Sequence, residues 1–322
     1  MNVPQSNPGD YSSSSPLCFV APPECAGLRL DQALARLFPE HSRSRLQGWL
    51  REGRVRVEGV SVLDVKRKVW GGERIEVEAA AEPNSLPDAA EDIALAIVHE
   101  DDEILVVDKP AGLVVHPGSG NRAGTLLNAL LHHEPRLATI PRAGIVHRLD
   151  KETSGLLVVA KTLAAQTDLV RQLQARSVRR HYLALVHGKV PRGGTVDAPI
   201  GRHPTQRVRM AVVAAGREAR THYSPLEFFA HATLLECRLE TGRTHQIRVH
   251  MASIAHPLVG DPTYGRRGAF DAKASPLLAA FPRQALHAWR LALLHPGSRA
   301  ELDWEAPPPA DFLRLLEGLR AR

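Results

Sequence analysis

A short polar segment between two apolar runs carries the residue types best suited to chemistry. The segment spans 150–155, with Arg148 just before it, and the apolar residues on its two sides, 145–146 and 156–160, predict buried strands. Asp150 is therefore expected where a buried strand gives way to a loop. A carboxylate there can act as a general base or a nucleophile, or it can accept hydrogen bonds from local amides as a turn residue. The residue types alone favour the turn interpretation.

Other kinds of reactive site find little support. The chain has 16 histidines, but it lacks a His-Glu-x-x-His motif, and His245 and His250 are five residues apart, which is out of phase for two ligands on one helix face. Ser154 lacks the nucleophile-elbow pattern. The glycine-rich segment 118–124 does not have the spacing of a dinucleotide-binding loop. We therefore expect no metal site, and only Asp150 has a distinctive setting.

The elements that must position Asp150 are mostly strands. The predicted strands lie at 96–98, 104–107, 113–115, 179–186, 221–229, 233–240 and 287–294. The predicted helices begin at Thr125, Thr162 and near 245, and the last spans 311–319. Several strands adjoin across short turns, which predicts an α+β domain with a largely antiparallel mixed sheet flanked by helices. The remaining long segments are predicted as loops at 193–203 and 257–264 and as a flexible insertion at 266–282.

The first eighty residues form a separate predicted domain. Residues 1–17 are too polar to bury a core and are predicted to be disordered. Residues 18–80 carry two short amphipathic helices, a hairpin and a final strand at 74–77, and a linker rich in Ala, Pro and acidic residues follows at 81–93. The second domain then spans 94–322. The basic side chains of the first domain that could converge on one face are Arg43, Arg45, Arg51, Arg54, Lys66, Arg67 and Lys68.

Composition sets the broad class. Lys and Arg number 41 against 35 Asp and Glu, a net charge of +6 over 322 residues, which suits a polyanionic partner such as nucleic acid. The three cysteines cannot form a disulfide framework. No signal peptide is visible, and no apolar run approaches the roughly 20 residues of a membrane helix. We expect a cytoplasmic protein without membrane contact, and a monomer, since no oligomerisation segment stands out.

Longer motifs resemble those of a known enzyme family. Gly-Ile-Val-His-Arg-Leu-Asp-Lys at 144–151 resembles the active-site motif of the RluA/RluD family of RNA pseudouridine synthases. Further segments match family motifs in the same order, at 108–112, 153–155, 241–250 and 286–288. Residues 18–80 resemble the alpha-L RNA-binding module. The flanking segments 141–143 and 256–262 make the chain most similar to the RluD branch of this family, whose members modify large-subunit ribosomal RNA.

The resemblance implies a role for four residues of the second domain. Asp150 is implied as the catalytic carboxylate, which reverses the turn interpretation. Arg248 matches the family arginine that pairs with this aspartate and keeps it ionised when RNA excludes water. Tyr182 matches the tyrosine that lies against the base and is suited to assist loss of the C5 proton. Arg148 matches a residue that moves into the space left by the flipped base.

The implied reaction is the isomerisation of specific uridines in large-subunit (23S) ribosomal RNA, free or within an assembly precursor. No cofactor is implied, because the isomerisation is redox-neutral. The alpha-L module would grip RNA phosphates and shape more than sequence. Two alternatives stay open: the same chemistry on transfer RNA or another ribosomal site, and a non-catalytic ribosome-assembly factor that only binds RNA. Whether Asp150 attacks C1′ or removes the proton at C2′ also stays open.

Overall fold

The chain folds into two compact units, Met1–Leu86 and Pro87–Arg322. The structure is a computed structural model that describes residues 17–38, 43–78, 89–118, 121–206, 208–265 and 275–321. Most of the predicted tail at 1–17 and of the predicted linker at 81–93 lies outside these described residues.

The N-terminal unit packs two helices on a small sheet. Its elements are β1 (Leu17–Val20), α1 (Leu30–Leu37), α2 (Arg43–Arg51), β2 (Val55–Val57), β3 (Val60–Ser61) and β4 (Arg74–Val77). The strands pair antiparallel in the order β1-β4-β2-β3. Leu34 from α1 and Leu50 from α2 are fully buried with Val55 and Ile75 of the sheet. The two predicted helices and the strand at 74–77 are therefore confirmed.

The C-terminal unit contains the remaining elements. The strands are β5 (Ile97–Glu100), β6 (Ile104–Lys109), β7 (Ser154–Ala160), β8 (Arg179–His187), β9 (Gly194–Asp197), β10 (Ile200–Arg202), β11 (Met210–Val212), β12 (Arg220–Phe228), β13 (Ala232–Leu239), β14 (Leu286–Leu294) and β15 (Glu301–Glu305). The helices are α3 (Leu126–His133), α4 (Leu163–Gln174), α5 (Gln246–Ser253), α6 (Pro276–Ala280) and α7 (Ala310–Arg320). Short 3-10 turns lie at Pro135–Thr139 and Pro141–Gly144.

One nine-stranded sheet organises this unit, in the order β5-β6-β7-β14-β8-β13-β12-β9, with β15 also paired to β14. Neighbouring strands run antiparallel except β7 and β14, which are parallel and pair only through Ser154–Gly155 and His287–Ala288. Buried His287 fixes this junction, because its ring bonds the Ser154 hydroxyl at 2.9 Å and the Ala306 carbonyl at 3.0 Å. The predicted α+β class with a largely antiparallel sheet is confirmed.

The two faces of the sheet bury different residues. On β8 the side chains of Tyr182 and Ala184 pack on the face that also buries Leu149, whereas Leu183 and Leu185 pack on the opposite face against α7. This alternation follows from the two-residue period of a strand. It places Tyr182 on the same face of the sheet as the loop that carries Asp150.

Two of the predicted strands are wrong. Residues 145–146 and 113–115 form only isolated bridges, Ile145 with Val159 and Val114 with Thr125. Before Ile145 the backbone of residues 142–144 has φ values of 56°, 49° and 76°, outside the extended region. Gly144 also lies so close to β7 that a Cβ would be 1.9 Å from the Ala160 carbonyl oxygen. The apolar run is therefore buried beside β7 but is not a strand.

Two loop predictions are also corrected. The segment 193–203, predicted as a loop, contains β9 and β10, which are too short to give a clear sequence pattern. In the predicted flexible insertion at 266–282, residues 266–274 lie outside the described part of the chain, and Pro276–Ala280 is a helix whose Leu278 is buried with Phe312. None of the helices in the described ranges is long and apolar enough to cross a membrane.

Candidate active site

Asp150 lies in the loop that joins the turn Pro141–Gly144 to β7. Leu149 is buried in the core on one side of it. On the other side the Thr153 amide donates to the Asp150 carbonyl at 3.0 Å. The Asp150 side chain keeps 16% of its surface exposed. The loop thus presents a carboxylate that is mostly buried and still reachable from solvent.

Lys109 donates hydrogen bonds to the backbone of this loop and its neighbours, a role that the sequence prediction missed. Its side chain is 1% exposed, and its ammonium donates to the carbonyls of Pro110 at 2.7 Å, Leu113 at 2.9 Å and Lys151 at 3.1 Å. Burial lowers the pKa of Lys109 to about 8. The motif Asp-Lys-Pro-Ala-Gly at 108–112 therefore supplies a lysine that ties three loop carbonyls together next to Asp150.

Arg248, on α5, forms hydrogen bonds to two carboxylates of the site. Its Nη1 donates to Asp150 Oδ2 at 3.0 Å. Its Nε and Nη2 donate to the two oxygens of Asp261 at 2.7 and 2.9 Å. Asp261 is held in turn by the amides of Thr263 and Tyr264 at 2.8 and 3.0 Å. The predicted pairing of Asp150 with Arg248 is present, and Asp261, which the sequence prediction did not single out, makes it a buried triad.

The charges of this triad reinforce one another. Burial alone lowers the pKa of the Arg248 guanidinium, but the hydrogen bonds and charges of Asp261 and Asp150 outweigh burial, so this pKa lies above its ordinary value. Burial likewise raises the pKa of Asp261, and the bonds from Arg248 reverse that effect, leaving this pKa below its ordinary value. Both groups are therefore charged at neutral pH, and Arg248 presents a permanent positive charge to Asp150.

His245 and Tyr264 border the triad. His245, which precedes α5, has a left-handed backbone with φ of 57°, and its Nε2 lies 3.9 Å from Asp150 Oδ1. Its Nδ1 bonds the Tyr264 hydroxyl at 2.8 Å. The Tyr264 ring in turn lies 5.0 Å from the Arg248 guanidinium carbon, within the range of a cation–π contact. Burial lowers the pKa of His245, so the ring is neutral near pH 7.

Tyr182 lies on the Asp150 side of the sheet. Its side chain is 5% exposed, and its hydroxyl makes no hydrogen bond to any described residue. Burial raises the pKa of Tyr182, the positive charge of Arg180 opposes this, and the negative charge of Asp150 adds to it. The phenol is therefore neutral, and it lies close enough to Asp150 for the two groups to interact electrostatically.

The remaining predicted residues are exposed or partly exposed wherever their side chains are described. The Arg148 side chain is exposed and makes no ion pair with Asp150. In the N-terminal unit Lys66 and Lys68 are exposed, Arg67 is partly exposed, and Arg54 pairs with Glu52 at 2.9 Å. Arg51 is exposed and lies 3.5 Å from the Gln47 amide oxygen. Arg43 and Arg45 belong to α2, but their side chains are outside the described part of the structure. No His, Cys, Asp and Glu cluster suited to a metal ion occurs among the described residues.

Comparison with known proteins agrees with this arrangement. Residues 103–253 match the family described as RNA pseudouridylate synthase, and residues 28–75 match the S4 domain. "Ribosomal large subunit pseudouridine synthase D" of Nitrosomonas europaea is 58% identical over 97% of this chain and 90% of its own length. The protein of the same name from Pseudomonas aeruginosa is 57% identical over 93% of this chain and 94% of its own.

Solved structures show the same fold. Human RNA Pseudouridylate Synthase Domain Containing 4 superposes with a TM-score of 0.56 at 27% identity, over 70% of this chain and 93% of its own. Human RNA Pseudouridylate Synthase Domain Containing 1 gives a TM-score of 0.53 at 27% identity, over 75% of this chain and 98% of its own. An S4 domain followed by a pseudouridine synthase domain accounts for both compact units. The chain therefore belongs to the RNA pseudouridine synthases, which are isomerases.

Proposed function

We propose that this enzyme isomerises specific uridines of large-subunit (23S) ribosomal RNA to pseudouridine, with Asp150 as the catalytic carboxylate. The observation that carries the proposal is the buried triad of Asp150, Arg248 and Asp261, in a chain 58% identical to a protein named for this reaction. In this proposal the enzyme acts in the cytoplasm as a monomer and requires no metal. It requires no cofactor, because the isomerisation is redox-neutral.

The geometry suits a reaction that one ionised carboxylate can promote. The bond between uracil N1 and ribose C1′ breaks, the uracil turns in the pocket, and a bond forms between C5 and C1′, with loss of the C5 proton and protonation of N1. Asp150 assists the first step, either by attacking C1′ or by removing the proton at C2′. Arg248 donates a hydrogen bond to this carboxylate and holds its orientation while bound RNA excludes water.

Two further residues have roles in the proposal. Tyr182 lies against the target base, since its ring is on the Asp150 side of β8 and its hydroxyl is not bonded to the described protein groups. Arg148 is exposed next to the same loop, where its planar guanidinium can occupy the gap that the flipped base leaves and stack on neighbouring bases. The base must leave its stack, because the Asp150 carboxylate is 84% buried in the enzyme.

The proposal is tested with Asp150→Asn, which keeps the shape of the side chain and removes its charge. We expect tritium release from C5-labelled large-subunit ribosomal RNA to fall to background while RNA binding is retained. Asp303→Asn is the matched control, because it changes an aspartate that pairs with Arg290 at an exposed site on β15. Full activity of Asp150→Asn would overturn the proposed role.

The choice of RNA target needs a separate experiment. Pseudouridines mapped in total RNA from a strain that lacks this protein should be missing at uridines of the large-subunit ribosomal RNA. Loss of pseudouridine from transfer RNA alone would overturn the target assignment and leave the chemistry intact. If all pseudouridines were still present in that strain and the purified protein released no tritium, an RNA-binding assembly factor would be favoured instead.

The S4 domain is proposed to hold the RNA backbone through Lys66, Arg67 and Lys68. Their simultaneous replacement by Gln in the full chain should weaken RNA binding and lower the slope of log K against log salt by roughly 2 to 3, about one unit for each lost phosphate contact. Arg320→Gln is the control, because that guanidinium is already paired with Glu227 at 2.7 Å. An unchanged slope in the triple variant would remove these residues from the RNA interface.

A further inference from the structure

Arg180 is a buried guanidinium without a partner. Among the described residues three arginine side chains are buried, and two of them are paired: Arg248 with two carboxylates and Arg283 with Asp311 at 2.7 and 2.9 Å. Arg180 is 7% exposed. Its guanidinium forms no ion pair or hydrogen bond with described residues, and its Nε is fully enclosed without an acceptor. Native proteins rarely leave such a charge unsatisfied.

Among the described residues, no negatively charged side chain contacts Arg180. Tyr182, two residues along β8 on the same face, is a neutral phenol, since burial raises its pKa. His147 is also neutral, since burial lowers its pKa to about 3 and the charge of Arg180 adds to that effect. Burial lowers the pKa of Arg180, but an arginine stays charged at neutral pH. The positive charge is therefore balanced by nothing in the described protein.

The guanidinium lies beneath an open turn. A Cβ added to Gly242, in the turn between β13 and α5, would lie 2.8 Å from Arg180 Nη1. Gly242 is exposed, and its amide makes no hydrogen bond to any described group. The glycine thus leaves the outer side of Nη1 uncovered, so a group arriving from solvent can reach a guanidinium and a backbone amide at the same place.

We propose that Arg180, under the turn at Gly242, binds a phosphate of the RNA strand next to the uridine that is isomerised. This inference rests on the proposed function, which places that uridine between Asp150 and Tyr182. Residues two apart on one strand face are about 7 Å apart, so Arg180 lies one strand step from the base pocket. A phosphate offers the several oxygen acceptors that an unpaired arginine fork requires.

A role in RNA binding and a role in folding predict opposite effects on stability. Arg180→Met removes the charge and keeps the apolar length of the side chain. Because an unpaired buried charge destabilises a fold, we expect the variant to unfold at an equal or higher urea midpoint than the wild type. Arg179→Met, an exposed neighbour on the same strand, is the control. A clear drop in the midpoint for Arg180→Met would assign Arg180 a structural role and overturn the proposal.

The binding partner is identified with modified RNA. Arg180→Met should raise KM and the RNA Kd about 10- to 100-fold, as expected for one charge-assisted hydrogen-bonding group. A stem-loop with a single neutral methylphosphonate is then compared, one position at a time, in wild type and variant. At one phosphate next to the target uridine the modification should weaken the wild type by a similar factor and leave the variant unaffected.

The other outcomes are equally informative. If every methylphosphonate acts independently of the variant, and kcat falls while KM stays constant, Arg180 contacts the uracil oxygens and the phosphate proposal is overturned. If Arg180→Met changes neither KM nor kcat, the site binds no part of the substrate. Neither result depends on Asp150, whose own variant tests the proposed function, so the two proposals can fail separately.

Discussion

Asp261 holds the guanidinium of Arg248 by two parallel hydrogen bonds, at 2.7 Å to Nε and 2.9 Å to Nη2. This pairing uses the edge of the guanidinium formed by Nε and Nη2 and leaves Nη1 for Asp150. The second carboxylate therefore does more than neutralise the arginine. It fixes the direction in which Arg248 points, and it does so from a loop that is itself held by backbone amides. Fixed direction is what an electrostatic partner needs in order to act without reorganisation.

Asp261→Asn should impair both folding and catalysis. The change leaves Arg248 buried with one carboxylate and replaces an acceptor by an amide donor, so we expect a loss of about 3–5 kcal/mol in the free energy of unfolding. The rate per folded molecule should also fall, because Arg248 can then rotate away from Asp150. Urea denaturation and tritium release measure the two effects. Asp303→Asn breaks a more exposed bidentate pair with Arg290 and should cost at most about 1 kcal/mol. Equal losses in the two variants would contradict this account.

Gly155 should tolerate no side chain. Its φ is 114°, and a Cβ would lie 2.2 Å from the carbonyl oxygen of Ala288, at the only point where β7 and β14 pair. Neither strand can move without breaking that junction, so Gly155→Ala should cost more than about 4 kcal/mol or prevent folding, which is exceptional for a single methyl group. Soluble yield and urea denaturation test this.

The control for Gly155 isolates the backbone contribution. Gly124 also has a positive φ, 68°, but nothing lies within 4 Å of its Cβ position. Gly124→Ala should therefore cost only about 1–2 kcal/mol, the penalty of a left-handed backbone. If both alanine variants lost the same stability, close packing at the strand junction would not be the cause.

Most of the helices and strands could be predicted from the sequence, because caps and apolar periodicity are local patterns. Thr162 was predicted to cap a helix, and its hydroxyl accepts from the Ala165 amide at 3.0 Å at the start of α4. Strands β8, β13 and β14 are long and rich in apolar residues, and they were predicted together with β12. The strand predicted at 145–146 is wrong, because a buried apolar run was taken as evidence of strand geometry. The positive φ values before this run separate burial from strand geometry.

The site was predicted less completely, for a physical reason. Asp150 and Arg248 were found through the resemblance of their motifs, although they are 98 residues apart and no local pattern joins them. Asp261 and Lys109 lie within motifs that the sequence already displayed, yet their partners are set by tertiary contacts. The same holds for Arg180, since the absence of a partner is a property of the folded environment alone.

Partly buried, neutral histidines should make the fold sensitive to mild acid. Burial lowers the pKa of His147 to about 3 and that of His116 and His187 to about 4, below the ordinary value of about 6.5. Between these limits the unfolded chain binds more protons than the folded one. The stabilisation is therefore complete above pH 6.5 and is lost as pH falls, by up to about 1.4 kcal/mol per pH unit for each histidine.

His147 offers the sharpest test of this dependence. Its Nε2 accepts a hydrogen bond from the Val158 amide at 3.3 Å, which requires the neutral ring. His147→Gln can keep an acceptor there without titrating. Between pH 7 and pH 5 the free energy of unfolding should therefore fall less than in the wild type, by up to about 1.4 kcal/mol for each pH unit below 6.5. Urea denaturation at each pH measures it, with exposed His132→Gln as the control. If His147→Gln and wild type lost stability equally over this range, the ring of His147 would not be the group that titrates.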